Sequence, residues 1–257
     1  MTTPVILFGA TGRMGRAIRA SMADVPDLTL AACVARAPDE IRCPPGCAWI
    51  TAEQLASGKA GAFPEDAVVI DVSLPAGTAS LLDWLERSPR ALVSATTGLA
   101  EADEERIRAL ARRAAVLRAR NLSVGNALAS GMLRAVQDAS KTLFEIDLIE
   151  HHHAAKRDAP SGTAIGWASI LASGRTAMID TAADPSKPRK PGEIRVHSVR
   201  SGTAVGTHRA LFAGVGETLE IVHTVSDRAV FARGALRAAR FLAGKPPGLY
   251  TLENALE

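Results

Sequence analysis

One fourteen-residue segment combines groups that carry protons with a place where an anion can bind. It reads Glu150-His151-His152-His153-Ala154-Ala155-Lys156-Arg157-Asp158-Ala159-Pro160-Ser161-Gly162-Thr163. Imidazole and ammonium groups are common general acids, and the unpaired backbone N–H groups of a helix start attract a carboxylate or a phosphate. The segment therefore predicts proton transfer to an anionic substrate.

An apolar stretch at residues 144–149 predicts the strand that leads into the histidines. Because side chains alternate along a strand, His151 and His153 would point to one face and His152 to the other. The three imidazoles then cannot form one cluster, and no further carboxylate–histidine pair presents itself in the sequence. We therefore predict no metal site, and a metal protein built on the histidine run is the alternative that metal analysis would decide.

The end of the segment predicts the start of a helix. Pro160 stops any earlier helix, and Ser161 and Thr163 are natural N-cap residues for the apolar run at residues 164–171. Gly162 lets an anion approach the backbone closely. We therefore expect a carboxylate-binding helix start next to the proton donors.

The same segment resembles the signature of the 4-hydroxy-tetrahydrodipicolinate reductases, also called dihydrodipicolinate reductases. That signature reads Glu-x-His-His-x-x-Lys-x-Asp-Ala-Pro-Ser-Gly-Thr-Ala, and every fixed position is present here. Weaker similarity extends to residues 9–15, 71–75, 96–98, 121–125 and 205–249. The resemblance implies NAD(P)H-dependent reduction of 4-hydroxy-tetrahydrodipicolinate to tetrahydrodipicolinate in the diaminopimelate route of lysine biosynthesis.

The resemblance also implies roles for the residues of the segment. The family's proton donors match His152 and Lys156, and its ligands for the cyclic dicarboxylate match His153, Ser161, Gly162 and Thr163. Two cations held four positions apart lower each other's pKa by repulsion, which suits general acid catalysis near neutral pH. The alternative for Lys156 is a surface salt bridge to Asp158.

A glycine-rich turn near the start of the chain predicts a dinucleotide site. The pattern Gly9-x-x-Gly12-x-x-Gly15 follows an apolar strand at residues 4–8 and opens a helix at residues 14–22, with Thr11 where the usual fingerprint has its second glycine. Such a turn admits a pyrophosphate at the helix start. The expected cofactor-binding residues of this turn are Gly9, Ala10, Thr11, Gly12, Arg13 and Met14.

The end of the second predicted strand, residues 28–34, indicates which nucleotide binds. An acidic residue here would bind the adenosine ribose, but Ala35 takes the family's frequent acid position and Arg36 follows it. An arginine suits a 2′-phosphate, so we predict NADPH, with NADH also possible. The alternatives are a surface arginine, and a ribose contact from Asp39 or Glu40.

Two further loops match those that line the nicotinamide ribose and ring in the family. The cofactor-binding residues implied there are Ala95, Thr96, Thr97, Ala119, Arg120, Asn121 and Leu122. Three of them depart from the family pattern, because Ala95 replaces a usual glycine, Arg120 a small residue and Leu122 a usual phenylalanine. These three substitutions affect the expected cofactor preference and turnover rate more than the family to which the resemblance points.

The order of predicted elements indicates an α/β fold. Short apolar strands alternate with helices up to residue 123, which predicts a Rossmann-type doubly wound parallel sheet. Strands then follow one another, which predicts an open mixed sheet in an α+β domain for substrate binding and oligomerisation. By resemblance this domain, residues 124–232, is inserted into a dinucleotide-binding domain of residues 1–123 and 233–257.

Composition narrows the class of protein. The chain has 257 residues, 47% of them apolar, and no apolar run approaches the roughly 18 residues that span a bilayer. Its net charge of +3 is dispersed over helices and only 4% of residues are aromatic, so nucleic acid is not an expected partner. Three cysteines, with Cys43 and Cys47 interpreted as loop thiols, suit a reducing compartment. We expect a cytoplasmic protein and, by resemblance, a homotetramer.

Two other functions remain open at this stage. One is a paralogous NAD(P)H reductase of another cyclic imine or carbonyl acid, because fold and cofactor do not fix the substrate. The other is a non-catalytic NADPH-sensing protein. The intact His-His-x-x-Lys pattern speaks against the sensor, since a sensor needs no proton donors.

Overall fold

The protein is described by a computed structural model that covers residues 2–37, 46–58, 63–174, 178–184 and 186–256. Asp39, Glu40 and Cys43, considered above, lie outside the described residues. The chain divides into two compact units, the first formed by Met1–Val124 with Ala229–Glu257 and the second by Gly125–Arg228. The chain returns to the first unit at Ala229, which is the first residue of a helix. The predicted return, at residue 233, would lie inside that helix.

Twelve strands and seven helices account for the regular structure of the described residues. In chain order they are β1 (Thr3–Phe8), α1 (Arg13–Ser21), β2 (Leu28–Ala35), β3 (Ala48–Thr51), α2 (Ala52–Ala56), β4 (Val68–Asp71), α3 (Pro75–Arg87), β5 (Leu92–Ser94), α4 (Glu101–Leu110), β6 (Ala115–Arg118), α5 (Val124–Leu143), β7 (Glu145–His152), α6 (Gly162–Ala172), β8 (Met178–Asp180), β9 (Glu193–Arg200), β10 (Gly206–Gly214), β11 (Glu217–Val225), α7 (Ala229–Leu242) and β12 (Gly248–Tyr250). Short 3₁₀ turns lie at Met22–Asp24 and Glu253–Leu256.

The first unit contains the predicted doubly wound sheet. Its seven strands pair in the order β12-β6-β5-β4-β1-β2-β3, and every pair is parallel. The central strands are buried on both faces, as β1 and β4 show, which is why they appear in the sequence as unbroken apolar runs. Parallel strands bring their carboxyl ends to one edge, and the glycine-rich turn after β1 lies at that edge.

The second unit is built on the predicted open mixed sheet. Five strands pair in the order β11-β10-β7-β9-β8, antiparallel on the β10 side and parallel on the β9 side. One face carries an apolar core that includes Leu148, Val196 and Phe212 from the sheet, Leu133 from α5 and Trp167 from α6. This core fixes the central strand β7, which carries the histidines.

Strand β7 corrects the predicted end of the histidine strand. We expected it at residues 144–149, but it runs from Glu145 to His152. Pairing with β10 as far as His151 and with β9 as far as His152 supplies backbone hydrogen bonds that extend it. His152 is therefore a strand residue, and its direction is set by the alternation along β7.

Gly234 permits a close approach between α7 and the loop after β6. A Cβ atom at this position would lie 1.7 Å from the carbonyl oxygen of Leu122. Because backbone atoms on both sides must move, we expect Gly234→Ala to lower the free energy of unfolding by about 2–4 kcal/mol in urea titrations.

The matched control for this prediction is Gly131→Ala in α5. A Cβ atom there meets nothing within 4 Å. The helix should then gain up to about 1 kcal/mol from the better propensity of alanine. Equal unfolding midpoints for the two variants would contradict the close approach at Gly234.

Candidate active site

Among the described residues of the second unit, Glu150 is the most deeply buried charged group. Its side chain is only 1% exposed, and the alternation along β7 places it on the same buried face as Leu148 and His152. In the pairing register, His208 of β10 and Ser198 of β9 lie directly opposite Glu150 on either side. Three neighbouring strands thus bring a row of polar groups into an otherwise apolar layer.

One oxygen of Glu150 is fully occupied by hydrogen bonds. Oε1 accepts from the backbone N–H of Ser161 at 2.9 Å, from the Ser198 hydroxyl at 2.8 Å and from Nη2 of Arg200 at 2.7 Å. Burial by itself would raise the pKa of Glu150, but the hydrogen bonds from Ser161, Arg200 and Ser198 outweigh it and lower the pKa to about 2. Glu150 is therefore a carboxylate at every pH at which the protein works.

The other oxygen of Glu150 lies between two imidazoles. Its Oε2 atom is 3.1 Å from Nδ1 of His152 and 3.7 Å from Nε2 of His208. The two imidazole rings meet edge to face, with their centroids 5.1 Å apart. This cluster corrects our inference that no carboxylate–histidine pair accompanies the histidine run, because Glu150 and His208 supply one through strand pairing.

The cluster has the donor atoms of a metal site, but the surrounding charges oppose a cation. The ligand atoms of Glu150, His152 and His208 lie within 4.8 Å of one another, and a carboxylate with two imidazoles is a known zinc donor set. However, the Arg200 guanidinium binds the same carboxylate, and the ammonium of Lys156 acts on both imidazoles. The absence of a metal therefore stays our prediction.

The two histidines of the cluster differ in how strongly their protonation is suppressed. Burial, followed by the charge of His152, lowers the pKa of His208 to about 4. Burial also lowers the pKa of His152, where Lys156 and Arg200 act in the same direction and Glu150 acts against them. His208 is thus neutral at working pH, whereas His152 keeps a carboxylate that favours its charged form.

His208 makes the protein sensitive to mild acid. Its folded pKa of about 4 lies below the ordinary value of 6.5, so between these pH values the unfolded chain binds a proton that the folded chain excludes. The contribution to stability is therefore complete above pH 6.5 and is lost as the pH falls toward 4. We expect His208 to account for about 2 kcal/mol of the stability lost between pH 7.5 and pH 5.

Urea unfolding at these two pH values, for the wild type and for His208→Gln, measures this contribution. Glutamine keeps a polar group next to Ser161 but does not titrate. The variant should lose correspondingly less stability on acidification. An identical pH dependence in both proteins would show that His208 is not held neutral in the fold.

Lys156 makes the contact that we considered as its alternative role. Its Nζ atom donates to both carboxylate oxygens of Asp158 at 2.7 Å. The backbone N–H of Lys156 also donates to the carbonyl of His153 at 3.1 Å, which forms a turn after β7. The lysine side chain is 21% exposed and Asp158 is 61% exposed, so solvent weakens this ion pair.

Ser161 is placed differently from its predicted role. It is the N-cap of α6, where its hydroxyl accepts from the N–H of Ala164 at 3.2 Å and lies 3.0 Å from Nε2 of His208. Its own N–H is taken by Glu150, and only 3% of the residue is exposed. Direct binding of a carboxylate by Ser161 is thus disfavoured. Gly162 and Thr163 are more exposed at the start of α6.

The glycine-rich turn fits a dinucleotide. Gly9 adopts φ +86°, and the N–H groups of Gly9 and Ala10 both donate to the carbonyl of Val34. A Cβ at Gly15 would lie 2.3 Å from the Gly9 carbonyl, so glycine lets α1 begin against the turn. At Gly12, which caps α1, no side chain makes a capping hydrogen bond. The helix start that carries Arg13 and Met14 can therefore receive an anion, and Thr11 precedes it.

Comparison with known proteins agrees with this architecture over the whole chain. The family described as dihydrodipicolinate reductase, N-terminus, matches residues 3–122, and the one described as dihydrodipicolinate reductase, C-terminus, matches residues 127–256. The chain belongs to the dihydrodipicolinate reductase family. The 4-hydroxy-tetrahydrodipicolinate reductase of Rubrobacter xylanophilus is 36% identical over 98% of this chain and 97% of its own length.

Two further proteins are similar to this chain, one compared by its sequence and one by its fold. The 4-hydroxy-tetrahydrodipicolinate reductase of Thermomicrobium roseum is 38% identical, with 96% of this chain and 97% of its own length covered. A dipicolinate-bound dihydrodipicolinate reductase from Paenisporosarcina sp. TG-14 has a similar fold, with a TM-score of 0.78, 22% identity and 99% of each chain covered. No helix among the described residues has the length and apolar character needed to cross a membrane.

A buried network holds one of the loops that the family resemblance assigns to the nicotinamide. Asp71, at the end of β4, accepts hydrogen bonds from the hydroxyls of Ser73, Thr78 and Thr96. Thr96 is only 3% exposed, and the N–H of Ala95 donates to the Asp71 carbonyl. Thr96 therefore fixes the loop from within. The exposed Thr97 is the member of the pair that solvent and a ligand can reach.

The second nicotinamide loop is also held by its buried members. Leu122 is 4% exposed and packs against α7, while Ala119 is buried and donates its N–H to the carbonyl of Ser94. The side-chain oxygen of Asn121 accepts from the N–H of Ser123. Arg120 is 75% exposed, with its guanidinium 3.5 Å from Glu104.

Arg36 lies just beyond β2 and is exposed. It lies at the carboxyl edge of the parallel sheet, one strand away from the glycine-rich turn. In such folds, residues at this position bind the substituent of the adenosine ribose. The side chain is therefore accessible to a 2′-phosphate, as the prediction of NADPH requires.

Proposed function

We propose that this chain reduces 4-hydroxy-tetrahydrodipicolinate to tetrahydrodipicolinate with NAD(P)H, in the diaminopimelate route of lysine biosynthesis. The observation that carries the proposal is His152, held against the buried Glu150 carboxylate beside the helix start of α6, in a chain that matches this family of reductases from end to end. The substrate class is a small cyclic dicarboxylate.

The reaction requires a proton as well as a hydride. NAD(P)H supplies the hydride to the conjugated imine when it is bound, and water leaves from the hydroxylated ring. His152 is the group that delivers the proton: burial lowers its pKa, and the neighbouring Glu150 carboxylate limits that fall, so the imidazolium gives up its proton readily. Lys156 supplies a second cation that stabilises the negative charge of the substrate, and it shares with His152 the delivery of this one proton.

The helix start of α6 orients the substrate through one carboxylate. Gly162 and Thr163 offer the first N–H groups of that helix, where partial positive charge favours an anion. His153, partly exposed at the end of the histidine run, contacts the ring or its carboxylate. Arg200 and Lys156 add positive charge to the same region, as their effects on His152 indicate. Together these groups suit a dianion.

We propose NADPH as the preferred cofactor because of the exposed Arg36. A guanidinium beside the adenosine ribose binds a 2′-phosphate but gains nothing from the hydroxyl of NADH. Arg36→Ala should raise the KM for NADPH about 10-fold, the value of one charge-assisted contact, and leave the KM for NADH nearly unchanged. Steady-state oxidation of each cofactor measures both constants. An equal rise in the KM values for NADPH and NADH would contradict this role and would indicate that Arg36 serves the structure of the protein instead.

We also propose a homotetramer that uses the outer face of the mixed sheet, in a cytoplasmic enzyme. The face opposite the helices carries Ile149, Val199, Leu211 and Val222 at alternating positions, and two of them are more than 40% exposed. Such apolar side chains on one open sheet face favour pairing with another copy. Sedimentation analysis of the wild type and of Val222→Lys tests this, and a monomeric wild type would contradict it.

The decisive assay uses freshly generated 4-hydroxy-tetrahydrodipicolinate. Turnover with NADPH supports the proposal. NADPH binding without turnover would favour the sensor, and oxidation of NADPH only with another cyclic imine or carbonyl acid would favour a paralogous reductase. Leu122 and Arg120 are two of the positions that differ from the family pattern. Because Leu122 is packed and Arg120 is exposed, neither substitution introduces a new buried polar group, which speaks against a reshaped substrate pocket.

A further inference from the structure

Glu150 has no assigned part in the reaction, yet it contacts both parts of the proposed site. One oxygen binds the N–H of Ser161 at the start of α6, and the other faces the proton donor His152. The carboxylate is 1% exposed, so it cannot meet the substrate itself. Its contacts therefore act through other residues.

The contact between Glu150 and His152 joins two buried atoms that lack another partner. Oε2 of Glu150 and Nδ1 of His152 are 3.1 Å apart, and neither makes a hydrogen bond to any other group among the described residues. Leaving a buried acceptor and a buried donor unpaired costs about 1–3 kcal/mol each. At this separation, a single hydrogen bond with the proton on Nδ1 is the arrangement that would satisfy both atoms.

The opposite nitrogen of His152 is kept clear by a glycine. A Cβ atom at Gly206 of β10 would lie 3.0 Å from Nε2 of His152. A larger residue would crowd this nitrogen, whereas glycine leaves space beside it. With Nδ1 directed to Glu150, Nε2 is the nitrogen that remains for chemistry.

The charges around His152 make the carboxylate necessary. Lys156 from the following loop, Arg200 from β9 and any charge on His208 from β10 oppose its protonation, and burial opposes it further. Asp158 favours protonation, but Asp158 is 61% exposed and binds Lys156. Glu150 is the buried anion that opposes these effects and keeps the pKa of His152 from falling further.

We propose that Glu150 is a positioning residue of the reduction. It orients His152 with Nδ1 protonated, so that Nε2 carries the proton for the substrate, and it fixes the start of α6 that binds the substrate carboxylate. This inference rests on the proposed function for the role of His152, although the orientation and charge of that imidazole can be measured without any substrate.

The first experiment follows the histidines of the wild type by ¹⁵N NMR, with the His152 signals assigned from their loss in His152→Gln. We expect the neutral ring of His152 to carry its proton on Nδ1. A ring protonated on Nε2 would overturn the proposal. Because this measurement needs no variant of Glu150, it remains decisive even if such a variant fails to fold.

The second experiment compares Glu150→Gln with Glu145→Gln. Glutamine preserves the shape and removes the charge, so the pKa of His152 should fall in Glu150→Gln. Glu145 lies on the same strand, but its side chain is 66% exposed and pairs with Arg189. Its variant should titrate like the wild type. An unchanged pKa of His152 in folded Glu150→Gln would overturn the proposal.

The kinetic consequence separates positioning from mere stability. Activity that requires protonated His152 is lost as the pH rises, and in Glu150→Gln this loss should begin at a lower pH than in the wild type. We also expect kcat to fall about 100-fold. Glu150→Asp, which keeps the charge, should restore the pH profile in part. A wild-type profile with full kcat in Glu150→Gln overturns the inference. Altered His152 titration in a protein that never turns over the substrate would instead refute only the proposed function.

Discussion

Replacement of His152 by glutamine is expected to lower kcat by about 10²- to 10⁴-fold, the usual contribution of a positioned proton donor. Glutamine retains the size and one donor of the imidazole, but it has no transferable proton at working pH. The affinity for NADPH should stay within about 2-fold of the wild type, because the glycine-rich turn belongs to the other unit of the chain. Stopped-flow reduction and NADPH titration measure the two quantities.

The neighbouring histidine provides the control for this variant. His151 points to the opposite face of β7, where its Nε2 lies 2.9 Å from the hydroxyl of Ser201. His151→Gln should therefore keep kcat within about 2-fold of the wild type, as surface substitutions usually do. If the two variants lost activity equally, the proton donor would have to be sought elsewhere.

The architecture of the first unit could be predicted because each signal is local. Buried parallel strands such as β4 are short apolar runs, and the glycine-rich turn marks where a strand passes into a helix. Strands β3, β8 and β12 carry no such signal, because they are short and none of them is a fully buried apolar run. They form because a neighbouring strand offers backbone hydrogen bonds at the edge of its sheet.

The cluster around Glu150 could not be predicted because it depends on strand register. Glu150 and His208 are far apart in the sequence, and they meet because β7 and β10 pair with these two residues directly opposite. A shift of one residue would turn His208 to the other face. The sequence does contain one signal for this cluster. Glu150 is a charged residue on the apolar side of a strand, and it is a fixed position of the family signature.

The role of Ser161 shows a different limit. A serine before an apolar helix predicts an N-cap, and the sequence correctly located the start of α6. It could not decide whether the hydroxyl and N–H serve a ligand or the protein itself. Burial and the Glu150 carboxylate favour the second role, because both groups make internal hydrogen bonds.

Replacement of Lys156 by alanine is expected to lower kcat by about 10²- to 10³-fold, with NADPH binding nearly unchanged. The ammonium lies in the loop directly after β7, where its charge already lowers the pKa of His152. Removing it takes a proton donor and a cation away from a doubly charged substrate, so KM for the substrate should rise as well. Rapid-mixing kinetics with NADPH in excess measure both effects.

Asp158→Asn separates catalysis from the ion pair seen in the structure. If Lys156 served only to bind Asp158, loss of either partner would have the same small effect, below about 1 kcal/mol for so exposed a pair. If Lys156 acts on the substrate, removing Asp158 leaves the ammonium available and kcat should stay within about 3-fold of the wild type. A Lys156→Ala protein that matched Asp158→Asn in kcat would show that the lysine has no part in the proton transfer, and His152 would then carry it alone.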